Sequence, residues 1–211
     1  MKRVINLDNW NRKEHFKFFS ALDDPFWGIT MTVDFTSIYQ QSKNMEVSFF
    51  LYSVHFLLKC INATTAFKLR IENGEVVEYD KINISPTIGR EDGTFGFGFF
   101  EYDTDLSLFI ENAEKEIHRV KNSTELSFSK DTARADVIRY SALPWFAFSE
   151  MKHAGSIQTG DSIPKISIGK LIQEKKKLLL PISISVHHGL VDGRNVAEFI
   201  QNVKDGQNNT L

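Results

Sequence analysis

The sequence predicts an α/β fold in which helices and a mixed β-sheet form a two-layer sandwich. Segments with helical and with extended apolar periodicity are interspersed, but they lack the regular alternation of a doubly wound sheet. The composition is that of a globular protein, because 42% of the residues are hydrophobic and 25% are charged. No linker, internal repeat or low-complexity run divides the chain, so residues 1–211 are expected to form a single domain.

The first half of the chain contains two helical patterns, one strand pattern and one hairpin. Phe16 and Phe19 lie at helical spacing, and apolar residues alternate in the segment that follows them. Asn73-Gly74 suits the two positive-φ positions of a type I′ turn. The predicted elements are, in order, a helix over 11–22, a strand over 27–35, a buried helix over 46–62 and a hairpin over 67–79.

The second half is predicted to be richer in strands. It contains one amphipathic helix with Phe109 and Ile117 on its apolar face, and its last strand alternates at Ile182, Ile184 and Val186. The predicted elements are, in order, a strand over 93–100, a helix over 105–121, strands over 137–140, 163–171 and 178–187, and a helix over 195–203.

Glycines alternate with phenylalanines in one predicted strand. Phe95, Phe97 and Phe99 share one face, while Gly96 and Gly98 leave the other face bare. A bare strand face lets another backbone or a flat ligand approach closely. Tight packing within the sheet explains the pattern equally well, so the sequence leaves both interpretations open.

Charge and cysteine content exclude several classes of function. Lys and Arg number 25 and Asp and Glu number 27, a formal charge of -2 that provides no basic surface for nucleic acid or for a membrane. A single cysteine, Cys60, cannot form an internal disulfide or a cysteine-based zinc site. Residues 1–15 are polar and charged and lack the apolar core of a signal peptide. The expected location is therefore the cytoplasm.

The sharpest pattern follows the strand over 178–187, which ends in two histidines, His187 and His188. Asp192 and Gly193 come next, before the last predicted helix. Adjacent strand residues point to opposite sides, so only one imidazole is expected to face a given cleft. An imidazole titrates near neutral pH and is a natural general base. Gly193 would permit a positive φ at this turn.

The same residues have two other interpretations. Histidines at the end of a strand are often structural. The other is a metal site. His187, His188 and Asp192 do not provide three identifiable side-chain ligands in suitable geometry, so no metal is expected.

The spacing His-His-x-x-x-Asp-Gly at residues 187–193 resembles the motif of the chloramphenicol acetyltransferase family of acetyl-CoA-dependent O-acyltransferases. The motif also occurs in the catalytic domains of 2-oxo-acid dehydrogenase E2 enzymes and in peptide-synthetase condensation domains. Three further segments, in order along the chain, resemble the first family. They are Asn9-Trp10-Asn11-Arg12-Lys13-Glu14-His15-Phe16, Ser141-Ala142-Leu143-Pro144-Trp145 and Leu178-Leu179-Leu180-Pro181-Ile182-Ser183.

The resemblance implies roles for four residues. His188 would be the general base that takes a proton from the acceptor hydroxyl. Ser141 would donate a hydrogen bond to the oxyanion of the tetrahedral intermediate. Asp192 would pair with Arg12, and we expect this ion pair to support the architecture of the site rather than to relay protons.

The resemblance also implies contacts for the acceptor and for coenzyme A. Phe19 stands where the family has a tyrosine and Trp27 where it has a phenylalanine, whereas Phe128 matches a retained phenylalanine. These three would contact the acceptor, for which chloramphenicol is the leading candidate. Ser167 matches a threonine near the reacting centre, and Lys170 matches a lysine near a phosphate of coenzyme A.

Finally, the resemblance implies acetyl-CoA as cosubstrate, a small-molecule hydroxyl acceptor and a homotrimer with active sites between subunits. His188 of one chain would face an acceptor pocket formed largely by its neighbour. Because Phe19, Trp27 and Arg194 alter the acceptor pocket, a ligand-binding protein of the same fold with weak or no turnover is one alternative. An acyltransferase for a different acceptor or a different acyl thioester is the other.

Overall fold

The computed structural model describes residues 1–155 and 160–208, which form two β-sheets and five α-helices. The helices are α1 (Lys13–Ser20), α2 (Thr36–Asn44), α3 (Phe49–Ala63), α4 (Leu106–Lys121) and α5 (Gly193–Asn208). The strands are β1 (Lys2–Val4), β2 (Phe26–Asp34), β3 (Leu69–Glu72), β4 (Glu75–Tyr79), β5 (Asn83–Gly89), β6 (Phe95–Phe97), β7 (Val137–Ala142), β8 (Lys165–Ile168), β9 (Ile172–Glu174) and β10 (Lys177–His187). No helix in the described ranges combines the length and the apolar character needed to cross a membrane.

The larger sheet has seven strands, of which β10 is the longest at 11 residues. Its order is β2-β10-β8-β7-β5-β6, and β9 pairs with β10 outside this path. β10 is antiparallel to β2, β8 and β9, whereas β7 is parallel to both β5 and β8. The smaller sheet is antiparallel, in the order β1-β4-β3. The predicted α/β fold with a mixed sheet is confirmed.

Alternation along β10 gives the larger sheet two different faces. Leu180, Ile182 and Ile184 are fully buried in a hydrophobic core to which all five helices contribute side chains. Ser183 and Ser185 alternate with these residues along the strand and therefore point to the opposite side. The helices thus cover one face of the sheet, and the other face is polar.

A line of hydroxyl groups crosses this polar face. In the register of the sheet, Thr30 lies opposite Ser183, and Ser183 lies opposite Ser167. Ser167 in turn lies opposite Ser141. Thr87 continues the line beyond Ser141, because the preceding residues of β5 and β7 are paired. Cross-strand partners share a face, so these five side chains form one line, which we call the hydroxyl row.

The predicted hairpin and the last helix are confirmed, the helix with shifted ends. The hairpin turns where expected, with φ values of 52° at Asn73 and 81° at Gly74. α5 begins two residues before the predicted helix over 195–203 and extends beyond it. The strand predicted over 163–171 stops at the end of β8, and the backbone pairs again only at β9.

Four elements give no clear signal in the sequence: β1, α2, β5 and β9. β5 lies between β6 and β7 although it contains Pro86, and proline is normally excluded from central strands because it has no amide donor. The Pro86 carbonyl accepts a hydrogen bond from the Gly98 amide at 2.9 Å. α2 buries only Ile38 and Ser42, so its apolar spacing is too sparse to indicate a helix.

Protein side chains fill the bare face of the phenylalanine–glycine segment. A Cβ atom at Gly96 would lie 2.6 Å from both Arg90 Nη2 and Ser127 Oγ. A Cβ atom at Gly98 would lie 2.6 Å from Ile88 Cδ1. Tight packing therefore explains these glycines, and only three residues of the predicted strand over 93–100 form β6.

A buried arginine joins the two sheets. Arg70 in β3 is 0% exposed, and burial lowers the pKa of its guanidinium to about 10. The guanidinium donates hydrogen bonds of 2.6–2.9 Å to four backbone carbonyl oxygens, those of Phe67, Leu69, Ala135 and Val137. Val137 is the first residue of β7 and Ala135 lies two residues before it, so one side chain links the smaller sheet to the larger one.

We expect Arg70→Leu to lower the free energy of unfolding by about 3–5 kcal/mol, because four buried carbonyl oxygens would lose their donor. The melting temperature should then fall by roughly 10 °C in thermal denaturation. Arg3→Leu removes an arginine whose side chain is 72% exposed, and it should shift the melting temperature by at most about 2 °C. Equal melting temperatures for Arg70→Leu and the wild type would contradict this role.

Candidate active site

The two histidines of the motif point to different sides at the end of β10. His187 is 4% exposed, and its Nδ1 accepts a hydrogen bond from the Gly189 amide at 3.2 Å. His188 lies one residue beyond the strand, where its amide donates to the Pro25 carbonyl at 2.8 Å. A Cβ atom at Gly189 would lie 3.0 Å from His187 Cε1, so this close turn favours glycine. The His187 ring lies against Phe26 and the His188 ring against Trp27, which are consecutive residues of β2, so the two rings point to different sides as expected.

His187 is unsuited to act as the base. Burial is the main cause that lowers the pKa of its imidazole to about 4; nearby His188 also lowers it, while Asp161 raises it. Its ring is therefore neutral at pH 7, and its Nδ1 is already used as an acceptor. His187 is a structural residue on the polar face of the sheet.

Aromatic side chains surround the His188 ring. The Phe19 ring from α1 stacks on it, with 3.8 Å between centroids and an interplanar angle of 20°. The Trp27 ring from β2 lies 5.4 Å away. His188 Nδ1 is buried and has no hydrogen-bond partner among the described residues. Nε2 is therefore the ring atom through which His188 can take a proton from a bound molecule.

An ion pair fixes the turn that carries His188. The Arg12 guanidinium bonds to Asp192 Oδ2, and its Nη2 also donates to the His188 carbonyl at 3.3 Å. Asp192 Oδ1 accepts from the amides of Arg194 and Asn195 at 2.9 and 3.1 Å, which caps α5. Burial alone would raise the pKa of Asp192, but these bonds outweigh burial and hold that pKa below its usual value.

Two further details complete this side of the molecule. Trp27 Nε1 donates to the Val191 carbonyl at 2.9 Å, which ties β2 to the turn. Gly193 begins α5 and is not among the residues with a positive φ, so the expectation of a positive φ there is wrong. The reason is that the first helical residue needs helical dihedral angles.

We call Arg12, Phe19, Trp27, His188 and Asp192 the histidine half-site.

A second group of predicted site residues lies within the hydroxyl row. Ser141 on β7 is partly exposed, and its Oγ accepts a hydrogen bond from Thr87 Oγ1 at 3.2 Å. Ser167 on β8 is fully buried, and its Oγ is 3.0 Å from His153 Nε2. We call Thr87, Ser141, His153 and Ser167 the serine half-site. Neither Thr87 nor His153 could be identified from the sequence. Thr87 meets Ser141 only through the register of the sheet, and His153 meets Ser167 from a segment between β7 and β8.

The predicted acceptor contacts divide between the two half-sites. Phe128 is 70% exposed and stacks on Phe97, with 5.2 Å between centroids. Phe97 lies opposite Thr87 in the register of β5 and β6, so Phe128 belongs to the serine side. Phe19 and Trp27 belong to the histidine side.

Ser141 and His188 of one chain are far apart. His188 lies five residues along β10 from Ser183, which is opposite Ser167, and Ser141 lies on the next strand. With a rise of about 3.3 Å per residue and about 4.8 Å between strands, the two residues are separated by roughly 20 Å. A single chain therefore does not bring the predicted base and the predicted oxyanion donor to one reacting atom.

A cleft lies over the polar face of the sheet, but neither Ser141 nor His188 lines it. It has a volume of about 1220 Å³ and is lined by His153, Ser185 and His187 among others. Within the described ranges, no three His, Cys, Asp or Glu side chains lie close enough together to hold a metal ion.

The predicted coenzyme A contact lies near two exposed aromatic residues. Lys170 is exposed, and its amide donates to the Phe146 carbonyl at 2.9 Å. Phe146 is 53% exposed and the preceding Trp145 is 72% exposed. The structure thus presents a cation and two apolar rings on two loops that are joined by this hydrogen bond.

His187 should make the protein sensitive to mild acid. The unfolded chain binds a proton at this imidazole near pH 6.5, whereas the pKa in the folded chain is about 4. Stability from this residue is complete above pH 6.5 and falls as the pH drops towards 4, by about 3 kcal/mol in all. The midpoint of urea denaturation should fall accordingly between pH 7 and pH 4.5.

His187→Asn keeps an acceptor for the Gly189 amide but does not titrate in this range. Its denaturation midpoint should therefore fall clearly less over the same pH interval. Equal acid sensitivity in the variant and the wild type would show that other groups dominate.

The family model described as Chloramphenicol acetyltransferase matches residues 2–204 of the chain. Chloramphenicol acetyltransferase 3 of Escherichia coli is 27% identical over 208 residues, which cover 98% of this chain and 97% of that protein. A chloramphenicol acetyltransferase of Clostridioides difficile is 28% identical over 205 residues, which cover 95% of this chain and 93% of that protein.

Solved structures show the same fold. A chloramphenicol acetyltransferase superposes with a TM-score of 0.89 at 29% identity, covering 98% of this chain and 99% of that one. A probable dihydrolipoamide acetyltransferase from Listeria monocytogenes shares the fold with a TM-score of 0.69 at 13% identity, covering 99% and 94%. Since the family model matches nearly the whole chain, this protein belongs to the chloramphenicol acetyltransferase family of acyltransferase enzymes.

Proposed function

We propose that this chain transfers the acetyl group of acetyl-CoA to a hydroxyl of a small molecule, with chloramphenicol as the leading acceptor. The geometry of His188 carries the proposal, because its ring is stacked on Phe19 and its Nδ1 is enclosed. An imidazole with one reachable nitrogen in a fixed position is suited to remove a proton from a bound hydroxyl. Membership of the family supports acetyl-CoA as the donor.

The reaction needs a proton acceptor and an oxyanion donor. His188 Nε2 takes the proton of the acceptor hydroxyl while that oxygen bonds to the thioester carbonyl carbon. The carbonyl oxygen becomes negative in the tetrahedral intermediate, and the Ser141 hydroxyl donates a hydrogen bond to it. When the carbon–sulfur bond breaks, the proton on His188 passes to the coenzyme A thiolate. The transfer is direct, without an acyl-enzyme.

Arg12 and Asp192 serve this reaction as supports. Their ion pair and the bond from Arg12 to the His188 carbonyl hold the turn against α1 and α5. Asp192 makes no bond to an imidazole among the described residues. The pair therefore fixes the position of the base and takes no part in proton transfer.

Each active site, in this proposal, is formed by two chains of a homotrimer. The separation of roughly 20 Å between Ser141 and His188 supports this arrangement, since the two must act on one carbonyl group. A head-to-tail contact closes into a ring of three, in which the histidine half-site of each chain meets the serine half-site of the next.

Acceptor and cosubstrate contacts follow from the same arrangement. Phe19 and Trp27 would contact the acceptor from the chain that supplies His188, and Phe128 and Ser167 from its neighbour. Phe19 presents an apolar ring without a hydroxyl, so an acceptor that needs a hydrogen bond at this position is disfavoured. Lys170 would meet a phosphate of coenzyme A as a point charge.

A location in the cytoplasm is supported by the single cysteine. Cys60 is free and buried, and burial raises the pKa of its thiol to about 12. Such a thiol stays protonated and is protected from disulfide exchange, as suits a protein with no disulfide to form.

One alternative is favoured by a specific observation. Because Phe19 covers the imidazole with an apolar ring, a bound acceptor could lack the contact that orients its hydroxyl, and the chain would then bind ligands with little turnover. Transfer from another thioester is distinguished by comparing acetyl-CoA with longer acyl-CoAs and with acyl-dihydrolipoamide.

We expect the purified protein to release coenzyme A from acetyl-CoA when chloramphenicol is present, and His188→Ala to slow this release about 10²–10⁴-fold. The free thiol is followed with a chromogenic reagent, with and without chloramphenicol. His118→Ala, at an exposed histidine of α4, is the matched control and should keep the wild-type rate. Chloramphenicol binding without acetyl transfer, unchanged in His188→Ala, would instead identify a ligand-binding protein.

Two inactive variants should restore each other if active sites lie between chains. Ser141→Ala and His188→Ala, co-expressed, form sites in which one chain supplies His188 and the other supplies Ser141. Random mixing in a closed ring gives such sites in about a quarter of cases, so activity should approach that fraction of the wild type.

The control for this experiment is a mixture of Ser141→Ala with the double variant that lacks both side chains. No chain in that mixture carries Ser141, so activity should stay at the level of Ser141→Ala alone. Failure of the first mixture to gain activity, or a stable monomer in light scattering, would overturn the shared active site.

A further inference from the structure

The Ser141 hydroxyl has one proton and two hydroxyl neighbours in the hydroxyl row, Thr87 and Ser167. An oxyanion donor is effective only when its proton is free and aimed before the charge develops. Which neighbour donates to Ser141, and which accepts from it, therefore decides whether the residue can do its proposed work.

Thr87 is the neighbour that donates. Its Oγ1–H bonds to Ser141 Oγ at 3.2 Å, so the serine oxygen acts as the acceptor and keeps its own proton available. The position of Thr87 is rigid, because β5 is paired on both sides, with β7 and with β6. A β-branched side chain also has few rotamers, which limits the freedom of the Oγ1 atom.

Ser167, on the other side, already has a partner of its own. Its Oγ is 3.0 Å from His153 Nε2, and His153 Nδ1 is buried without a hydrogen-bond partner among the described residues. The Oγ and Nε2 atoms lie within hydrogen-bond distance, so the Ser167 hydroxyl and the His153 ring are hydrogen-bond partners. Ser167 is thus held by His153.

Burial, assisted by the charge of Lys165, lowers the pKa of His153, which keeps the ring neutral at pH 7. A neutral ring can form this hydrogen bond through Nε2 in either tautomer.

We propose that Thr87 is a positioning residue for the oxyanion donor: by donating to Ser141 Oγ from a rigid strand, it turns the Ser141 proton towards the reacting carbonyl. A hydrogen bond received by a hydroxyl also polarises it and strengthens the bond that it donates. The inference rests on the proposed oxyanion role of Ser141 and gives Thr87 a role that it exerts through Ser141.

Thr87→Val keeps the shape of the side chain and removes its donor. We expect kcat for acetyl transfer to chloramphenicol to fall about five- to tenfold, with the KM values of both substrates within about twofold of the wild type. Thr87→Ser restores the hydroxyl and should return kcat to within about twofold. Thr30→Val, at the far end of the hydroxyl row, is the matched control and should change neither kcat nor KM.

A double-mutant cycle with Ser141→Ala separates a positioning role from a general structural one. If Thr87 acts through Ser141, Thr87→Val should change kcat by less than about twofold in the Ser141→Ala background. Melting temperatures of all variants are measured alongside, so that a fold defect is recognised.

Three results would overturn the inference. An unchanged kcat in Thr87→Val, the same fall in kcat in both backgrounds, or a rise in KM alone would each show that Thr87 does not aim Ser141, while the proposed function would stand. Wild-type activity in Ser141→Ala is a different outcome, since it would remove the proposed oxyanion role itself and the inference with it.

Discussion

The ion pair between Arg12 and Asp192 is the contact on which the histidine half-site depends. One carboxylate caps α5 through two amides and binds the guanidinium with its other oxygen, while the guanidinium also reaches the His188 carbonyl. Three separate parts of the chain, α1, the turn after β10 and α5, meet at this pair. The Phe19 ring reaches the imidazole from the same helix α1 that the ion pair anchors. Removing either charge would leave the other partly buried and release His188, the proposed base, from its support.

The alternation of β10 connects the core to the serine half-site. Its apolar residues face the helices, and its serines continue the hydroxyl row towards Ser167 and Ser141. The core therefore fixes the register, and the register fixes which hydroxyls become neighbours. A shift of one residue would reverse every side chain of the strand and would remove Ser183 from the polar face. Core packing and the proposed oxyanion chemistry thus share one structural cause.

Elements with strong periodicity could be predicted from the sequence, and elements with special backbone chemistry could not. The helix α3 is apolar on most sides, and Asn73-Gly74 directly specifies the turn of the hairpin between β3 and β4. β5 could not be foreseen, because Pro86 argues against a central strand and its missing amide is tolerated only in the folded sheet. The motif residues could be named through a family resemblance, but the distance between Ser141 and His188 depends on strand order and register. For the same reason, the hydrogen bond from Thr87 to Ser141 could be identified only in the folded structure.

The division of the site into two half-sites has a consequence for how its specificity can evolve. Phe128 and Phe97 belong to one region of the sheet and His188 to another, with several strands between them. Substitutions at Phe97 or Phe128 therefore do not touch the packing of Phe19 and Trp27 on His188. Under the proposed function, changes on the serine side are expected to alter acceptor preference while the histidine half-site is kept.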